Sequence, residues 1–545
     1  MGVFIRKSIS QLQEEAGYKG SNALNRVLGP VSLIAMGVGV IIGAGLFSIT
    51  GLVAANYSGP AITLSFIVAA ICCCFAGLCY AEFSSMIPVA GSAYTYSYAT
   101  MGELVAWVIG WDLVLEYSVA ATTVSISWSR YMVSFLDSIG WEVPHEFTAC
   151  PWDGGIINIP ALLIVILMSL FLIRGTRESS LFNAVIVCLK IGVIILFVVL
   201  GWKYINNDNF HPYIPDNTGT FGHFGISGIF RGAAIVFFAF LGFDSVSTMA
   251  QETRNPKRNM PIGILGSLLV VLILYLSFSY VMTGVANYKM FSGQDGIAPV
   301  AIAIAQMGTA RADGIIQPAY LWLNRAILLA ILIGYCSVIM VTLMAQSRVF
   351  LSMSHDGLLP PFFRKIHPRY HTPAHSNLLF MIVVGLLAAF VPARVAGEMT
   401  SIGTLFAFML VCAGVLIIRR TMPTSEGAFR VPFVPAIPLL GIIICFIVML
   451  SLPADTWIRL LIWMLIGFDI YSSYSIHNSR LEPTKNRNGK NYLYIIGIAV
   501  GVLCCFSGLW HQQTVGWDTG KGLLLLAICF GGGHSVYFLY KAWKE

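Results

Sequence analysis

Fourteen stretches of roughly twenty mostly apolar residues follow one another along this chain, each long enough to cross a bilayer as a helix. They lie near 30–55, 60–86, 100–134, 156–174, 179–202, 224–250, 262–285, 320–353, 374–392, 398–418, 433–452, 455–475, 491–511 and 521–541. Hydrocarbon offers no water to backbone N–H and C=O groups, so such a chain must satisfy them internally, as helices. The stretches at 100–134 and 320–353 exceed the lipid thickness and must tilt or protrude. Only 10% of residues are charged, against about 25% in a soluble domain. The expected fold class is an all-α polytopic membrane protein with 14 transmembrane helices.

An even number of spans places both termini on one side. With that side inside, cytoplasmic segments hold 21 of the 32 Lys and Arg residues, among them Arg6, Lys7, Arg254, Lys257, Arg258 and Arg480. The opposite loops hold 5: Lys203, Lys289, Arg311, Arg394 and Lys521. The positive-inside rule then makes both termini cytoplasmic in a multi-pass protein of the cell (plasma or inner) membrane. The net charge of +7 is explained by these loops and does not point to nucleic acid. Residues 1–29 are mixed polar, so they read as a cytoplasmic segment without a cleavable leader. Of 12 cysteines, only Cys150 lies in a predicted loop, and no paired CxxC spacing occurs, so neither metal, cofactor nor disulfide framework is expected. The loop at about 286–319 is too short for a soluble domain; its stretch from Ile297 to Ile304 reads as a short interfacial helix. Glu82 to Tyr94 reads as a gate or a turn with a proline stop, and Glu252 to Pro261 as an anchoring loop.

Two spans are interrupted at corresponding places, five spans apart. The first break is Gly37-Val38-Gly39-Val40-Ile41-Ile42-Gly43-Ala44-Gly45 and the second Phe238-Ala239-Phe240-Leu241-Gly242-Phe243-Asp244. Glycine tolerates backbone angles that a β-carbon forbids, so helices can unwind there. Unwound backbone at membrane depth survives only where it lines a cavity or binds something. A matched pair of breaks points to the substrate site of a secondary transporter. A half-helix starting near Gly43, Ala44 and Gly45 offers N–H donors to a carboxylate. Carbonyls of the first break, and those near Phe238, Ala239 and Leu241, accept from an ammonium, so the pair would clamp an α-amino acid at both ends. The competing reading of each glycine run is close helix packing.

Three ionisable residues lie at membrane depth. Lys190, inside an apolar run in the fifth span, costs about 2.5–3.5 kcal/mol on insertion scales and therefore needs a role. It reads as a proton-coupling group or a fixed cation, against snorkelling or structural pairing. Glu116 lies near the centre of the third span, with Asp112 one turn earlier on the same face. It would meet a cationic substrate group or bond a neighbouring helix. Asp244 follows the second break, where it would sense substrate or cap the resumed half-helix with Ser245 and Ser247.

The stretches Gly39 to Phe47, Trp111 to Tyr117, Phe237 to Pro261, and Gln346-Ser347-Arg348 with Asp356-Gly357-Leu358-Leu359-Pro360 together resemble an amino acid–polyamine–organocation superfamily permease of the cationic amino acid transporter group. The resemblance spans nearly the whole chain. It implies a leucine-transporter-like core of two inverted five-helix repeats, at 30–202 and 224–420, followed by four additional helices and a short cytoplasmic tail within 421–545. It also implies proton-linked or exchange transport of L-amino acids by alternating access. In that mapping Ile41 and Gly43 to Gly45 hold the substrate's main chain, and the Phe238 and Leu241 carbonyls its ammonium. Lys190 takes the sodium position of sodium-coupled relatives, and Glu116 and Asp244 match pocket-side acids. Counting back from Gln346, Tyr335 is the position that limits pocket depth. A ring there would favour small or neutral side chains over arginine; swung aside, its hydroxyl would help bind a longer polar substrate.

The expected function is secondary active, proton-coupled uptake of an L-amino acid. The alternatives are a proton-independent amino acid or amine exchanger and a non-transporting amino acid sensor. An intramembrane enzyme would need a nucleophile–base or metal constellation at depth, and none is recognisable. The expected partners are the amino acid, a proton and the lipid bilayer.

Overall fold

The structure, a computed structural model, describes residues 5–8, 11, 28–87, 92–174, 180–292, 299–310, 316–319, 321–367, 370, 372–421, 429–480, 488–515 and 517–544. Helix α1 (Pro30–Ile41) opens with Pro30, whose fixed φ suits a first turn, and stops at Ile42. The chain resumes as α2, residues 45–58, which begins with a widened π turn at Gly45–Ile49. There follow α3 (Ile62–Met86), α4 (Ser92–Thr100), α5 (Glu103–Ser138), α6 (Ile159–Arg174) and α7 (Ser180–Gly201). Helix α8 (Gly225–Val236) breaks before α9 (Phe243–Glu252), which is wound as a 3-10 helix. Then come α10 (Pro256–Val285), α11 (Pro299–Ala305), α12 (Leu321–His355), α13 (Ala374–Phe390) and α14 (Ala393–Thr421). The chain ends in α15 (Ala436–Leu450), α16 (Ala454–Ile470), α17 (Asn488–Val515) and α18 (Trp517–Lys544).

Among the described residues, eight helical segments are long and apolar enough to cross a membrane; a ninth is the pair Ala436–Leu450 and Ala454–Asn478, bent by 114°. Four more apolar helices are shorter: Pro30–Ile41, Ile159–Arg174, Ala374–Phe390 and Leu524–Tyr540. The apolar stretch near 30–55 is thus divided by its break, and α1 alone falls short of a span. The helix expected around 297–304 is present as α11, though residues 293–298 lie outside the described residues. A two-stranded antiparallel hairpin, Gly308–Ala310 with Ile316–Pro318, was not expected. The stretch from Glu82 to Tyr94 runs into the buried helix α4, with residues 88–91 outside the described set. The expected anchoring loop at 252–261 is shorter than read: Asn255 turns with φ 49° and Pro256 already starts α10.

The lipid-facing and inward-facing sides are chemically inverted relative to a soluble protein. Leu163, Leu167, Leu269, Ile273, Val502 and Phe506 are exposed on the outside. Buried on α5 are Ser118, Thr122, Thr123 and Ser125. An unbonded hydroxyl there would cost desolvation energy; each instead donates to the carbonyl four residues earlier, at 2.7–2.9 Å. Gln346 links α12 to α5 by donating to Val114 O at 3.1 Å and to the Ser118 hydroxyl. Near the start of α5 the N-terminal residues 5–8 are pinned down. Lys7 N donates to Tyr98 O, Glu103 N to Ile5 O, and Lys7 Nζ to Asp356 at 2.6 Å.

Candidate functional site

The two breaks face one another. In the first, Ile42 turns extended (φ −70°, ψ 107°) after its N–H makes the last α1 bond, to Val38 O at 3.0 Å. In the second, a tight turn at Phe237–Phe240 ends with Leu241 extended and Gly242 at φ 106°. Gly242 is required by this left-handed conformation, and a Cβ there would also stand 2.7 Å from Val40. Gly45 is required by proximity: a Cβ would lie 2.2 Å from Ala239 Cα, so backbone meets backbone.

Two side chains from neighbouring helices hold these segments. Lys190, on α7 and buried, donates from Nζ to Gly39 O at 2.9 Å, Ile42 O at 3.1 Å and Ser337 Oγ at 3.1 Å. It therefore ties α7, the end of α1 and α12 to one point. Tyr275, on α10, lies within reach of a carbonyl from each break: Ala239 O at 2.7 Å and Ile41 O at 3.1 Å. Its one proton can serve only one carbonyl fully at a time. Sequence reasoning missed Tyr275, because a lone tyrosine in an apolar helix carries no local signal; only the convergence of α1, α8 and α10 gives it meaning.

Asp244 accepts from Tyr117 Oη at 3.0 Å and Ser92 Oγ at 3.5 Å. These two bonds tie the start of α9 to α4 and α5, while Ser245 N donates to Gly242 O at 3.1 Å. Glu116 is buried beside Thr404 of α14, whose hydroxyl donates to Thr400 O at 3.0 Å. Asp112, one turn earlier, is buried with neither carboxylate oxygen hydrogen-bonded among the described residues.

A small cavity lies between the breaks. Ile41, Gly43, Ala44, Gly45, Phe238, Leu241 and Gly242 line it, together with Tyr117, Ala120 and Val124 of α5 and Val338, Val341, Thr342 and Ala345 of α12. The space open to the centre of a water molecule is about 20 Å³, room for about one water. Of the residues singled out in the sequence, Ala239 touches this region through Gly45, while Glu116, Asp244, Lys190 and Tyr335 stand behind the wall. Tyr335 bonds Ser48 at 3.0 Å and packs against Tyr131 and Phe47 at ring distances of 5.7 and 6.3 Å. Val338, three residues further along α12, makes the approach to Gly43 instead: a Cβ on Gly43 would meet it at 3.4 Å. Residues three apart on a helix share a face but differ in depth by most of a turn, which separates Val338 from Tyr335.

A multi-pass helical membrane protein with two interrupted helices closing on a small cavity is the class that fold and site define. Residues 28–470 match the family profile described as amino acid permease, and the chain belongs to that family, within the amino acid–polyamine–organocation superfamily. It is 40% identical over 482 residues to the methylthioribose transporter of Bacillus subtilis (strain 168), covering 88% of this chain and 99% of that protein. It is 41% identical to the branched-chain amino acid permease BcaP of the same organism, with coverage of 88% and 99%. Cationic amino acid transporter 4, vacuolar, of Arabidopsis thaliana is 33% identical over 74% of this chain and 65% of its own length. These relatives are transporters and permeases by name, not enzymes.

Proposed function

We propose that the protein is a secondary active L-amino acid transporter working by alternating access, with the zwitterion held between the two breaks. The observation that carries this reading is the pair of unwound segments meeting face to face around one cavity. The C-terminal carbonyls of α1 and the first N–H groups of α2 point dipoles of opposite sign at the same space. Gly43, Ala44 and Gly45 take the substrate carboxylate. Ile41, Phe238 and Leu241 carbonyls take its ammonium; Phe238 O already accepts from Leu241 N at 3.1 Å and keeps a second lone pair. The cavity is too small for an amino acid, so the described form is closed and the breaks must part to admit one.

The spans are organised as two inverted five-helix repeats, 30–202 and 224–420, with four further helices in 421–545, making fourteen. The placement of one break near the start of each repeat supports this division. The Lys and Arg distribution supports cytoplasmic termini in a cell membrane, with residues 1–29 inside. Proton coupling is assigned to Lys190. Its ammonium uses three donors on three acceptors, and loss of one proton leaves two, loosening α7 from the first break or from α12.

A proton-independent exchanger draws on the same contact, read as a fixed, fully bonded cation. Uptake into proteoliposomes decides between them. The panel contains the common L-amino acids and, because one relative carries it, methylthioribose, each with and without an inward proton gradient. The expected result is uptake of apolar L-amino acids, accelerated severalfold by the gradient, with the gradient effect lost in Lys190→Ala. No gradient effect in the unaltered chain moves the assignment to the exchanger, and gradient dependence that survives Lys190→Ala removes Lys190 from the coupling. Uptake of methylthioribose alone removes the amino acid from the reading, and uptake of nothing in the panel removes transport and favours a sensor.

A further inference from the structure

Tyr275 lines no part of the cavity between the breaks, yet its hydroxyl joins them. Its ring is fully buried and wedged between Phe66 of α3 and Phe240 of the second break, each with ring centroids 5.3 Å away. That packing fixes the direction of the phenol, whose Oη stands 2.7 Å from Ala239 O and 3.1 Å from Ile41 O. Ile41 is the last residue of α1, so its carbonyl has no N–H partner within that helix. Ala239 is where the second break comes against Gly45 of the first. Two carbonyls converging on one buried point need a donor, since a buried acceptor left unbonded costs free energy. A phenol has one proton for the two. The substrate ammonium has three, and in the reading above it bonds the Ile41, Phe238 and Leu241 carbonyls, which also come from both breaks. The described form has room for about one water there, and in it the donor reaching both segments is Tyr275.

We infer that Tyr275 is a positioning residue that latches the two breaks together when no substrate lies between them, so that the carrier can close and return unloaded. The inference rests on the amino acid transport reading above. With an ammonium on Ile41 O, the phenol proton goes wholly to Ala239 O, and the substrate itself supplies the bridge. Without one, the phenol supplies it. Net uptake by alternating access needs both the loaded and the unloaded carrier to close, whereas exchange of one amino acid for another needs only the loaded one.

Two transport modes of the full chain in proteoliposomes, under the same inward proton gradient, test this. Net uptake of tritiated L-leucine is measured into vesicles without internal amino acid, and exchange into vesicles preloaded with unlabelled L-leucine. Tyr275→Phe keeps the ring and removes the donor. Its net uptake is expected to fall about tenfold, as fits a buried carbonyl left unbonded, while exchange is kept. Should Tyr275→Phe fail to fold, Tyr275→Met, which fills the space without a donor, reads the same ratio. Equal losses in both modes mean that the hydroxyl only supports the packing, and overturn the latch. Net uptake unchanged by the substitution overturns it too. Exchange without net uptake in the unaltered chain also overturns the latch, and leaves the transport reading standing. No leucine moved in either mode removes the apolar amino acid reading itself, and the latch with it.

Discussion

Val338 and Tyr335 lie three residues apart on α12, yet only Val338 touches the space between the breaks. Tyr335 is spent on Ser48, Tyr131 and Phe47, where its ring supports the wall from behind. One missing methylene in a tight pocket shifts selectivity by about 10–200-fold, and Val338→Ala removes two methyl groups. Val338→Ala is therefore expected to raise uptake of isoleucine relative to alanine at least about tenfold, measured as competing rates in proteoliposomes. Tyr335→Phe keeps the ring and loses one hydrogen bond, so the same ratio should stay within about threefold. A reversed pattern would return the depth-limiting role to Tyr335.

Between elements, contacts at the two ends of the bundle differ from those around the breaks. Lys7 joins the N-terminal residues to the end of α12 through Asp356, which also accepts from Tyr94 Oη of α4 at 2.5 Å. The Lys7 ammonium lies 5.2 Å from the Tyr98 ring. Both charges are largely buried, with side chains 5% and 12% exposed. Removing one partner of such a pair strands the other, at a cost of about 3–5 kcal/mol. Lys7→Met should therefore lower the unfolding midpoint clearly in detergent, followed by tryptophan fluorescence, and Lys7→Met with Asp356→Asn should recover part of that loss. Additive losses in the double variant would mean that the pair contributes nothing as a pair. Around the breaks, by contrast, the ties run mostly to backbone carbonyls, through Lys190 and Tyr275, so segments without helical bonds are still held in place.

Across the whole molecule, orientation follows from where the basic residues fall. If both termini face the cytoplasm, green fluorescent protein fused after Glu545 should fluoresce when expressed in a bacterial host, while alkaline phosphatase fused there stays inactive. Active phosphatase would invert the assignment. The same orientation places Lys7 on the inner face.

The sequence by itself determined that this chain is an all-helical membrane protein and where two of its helices break. Those properties are local: hydropathy over about twenty residues sets a span, and glycine at Gly242 permits the left-handed turn of the second break. It also marked Lys190, because an ammonium inside an apolar run must find acceptors. The partners that receive it, Gly39, Ile42 and Ser337, come from two other helices and were decided by the tertiary structure. So were the bridging of both breaks by Tyr275 and the wall position of Val338. Each depends on the rotation and depth of packed helices, which a periodic apolar pattern leaves free because nearly every face of these helices is apolar.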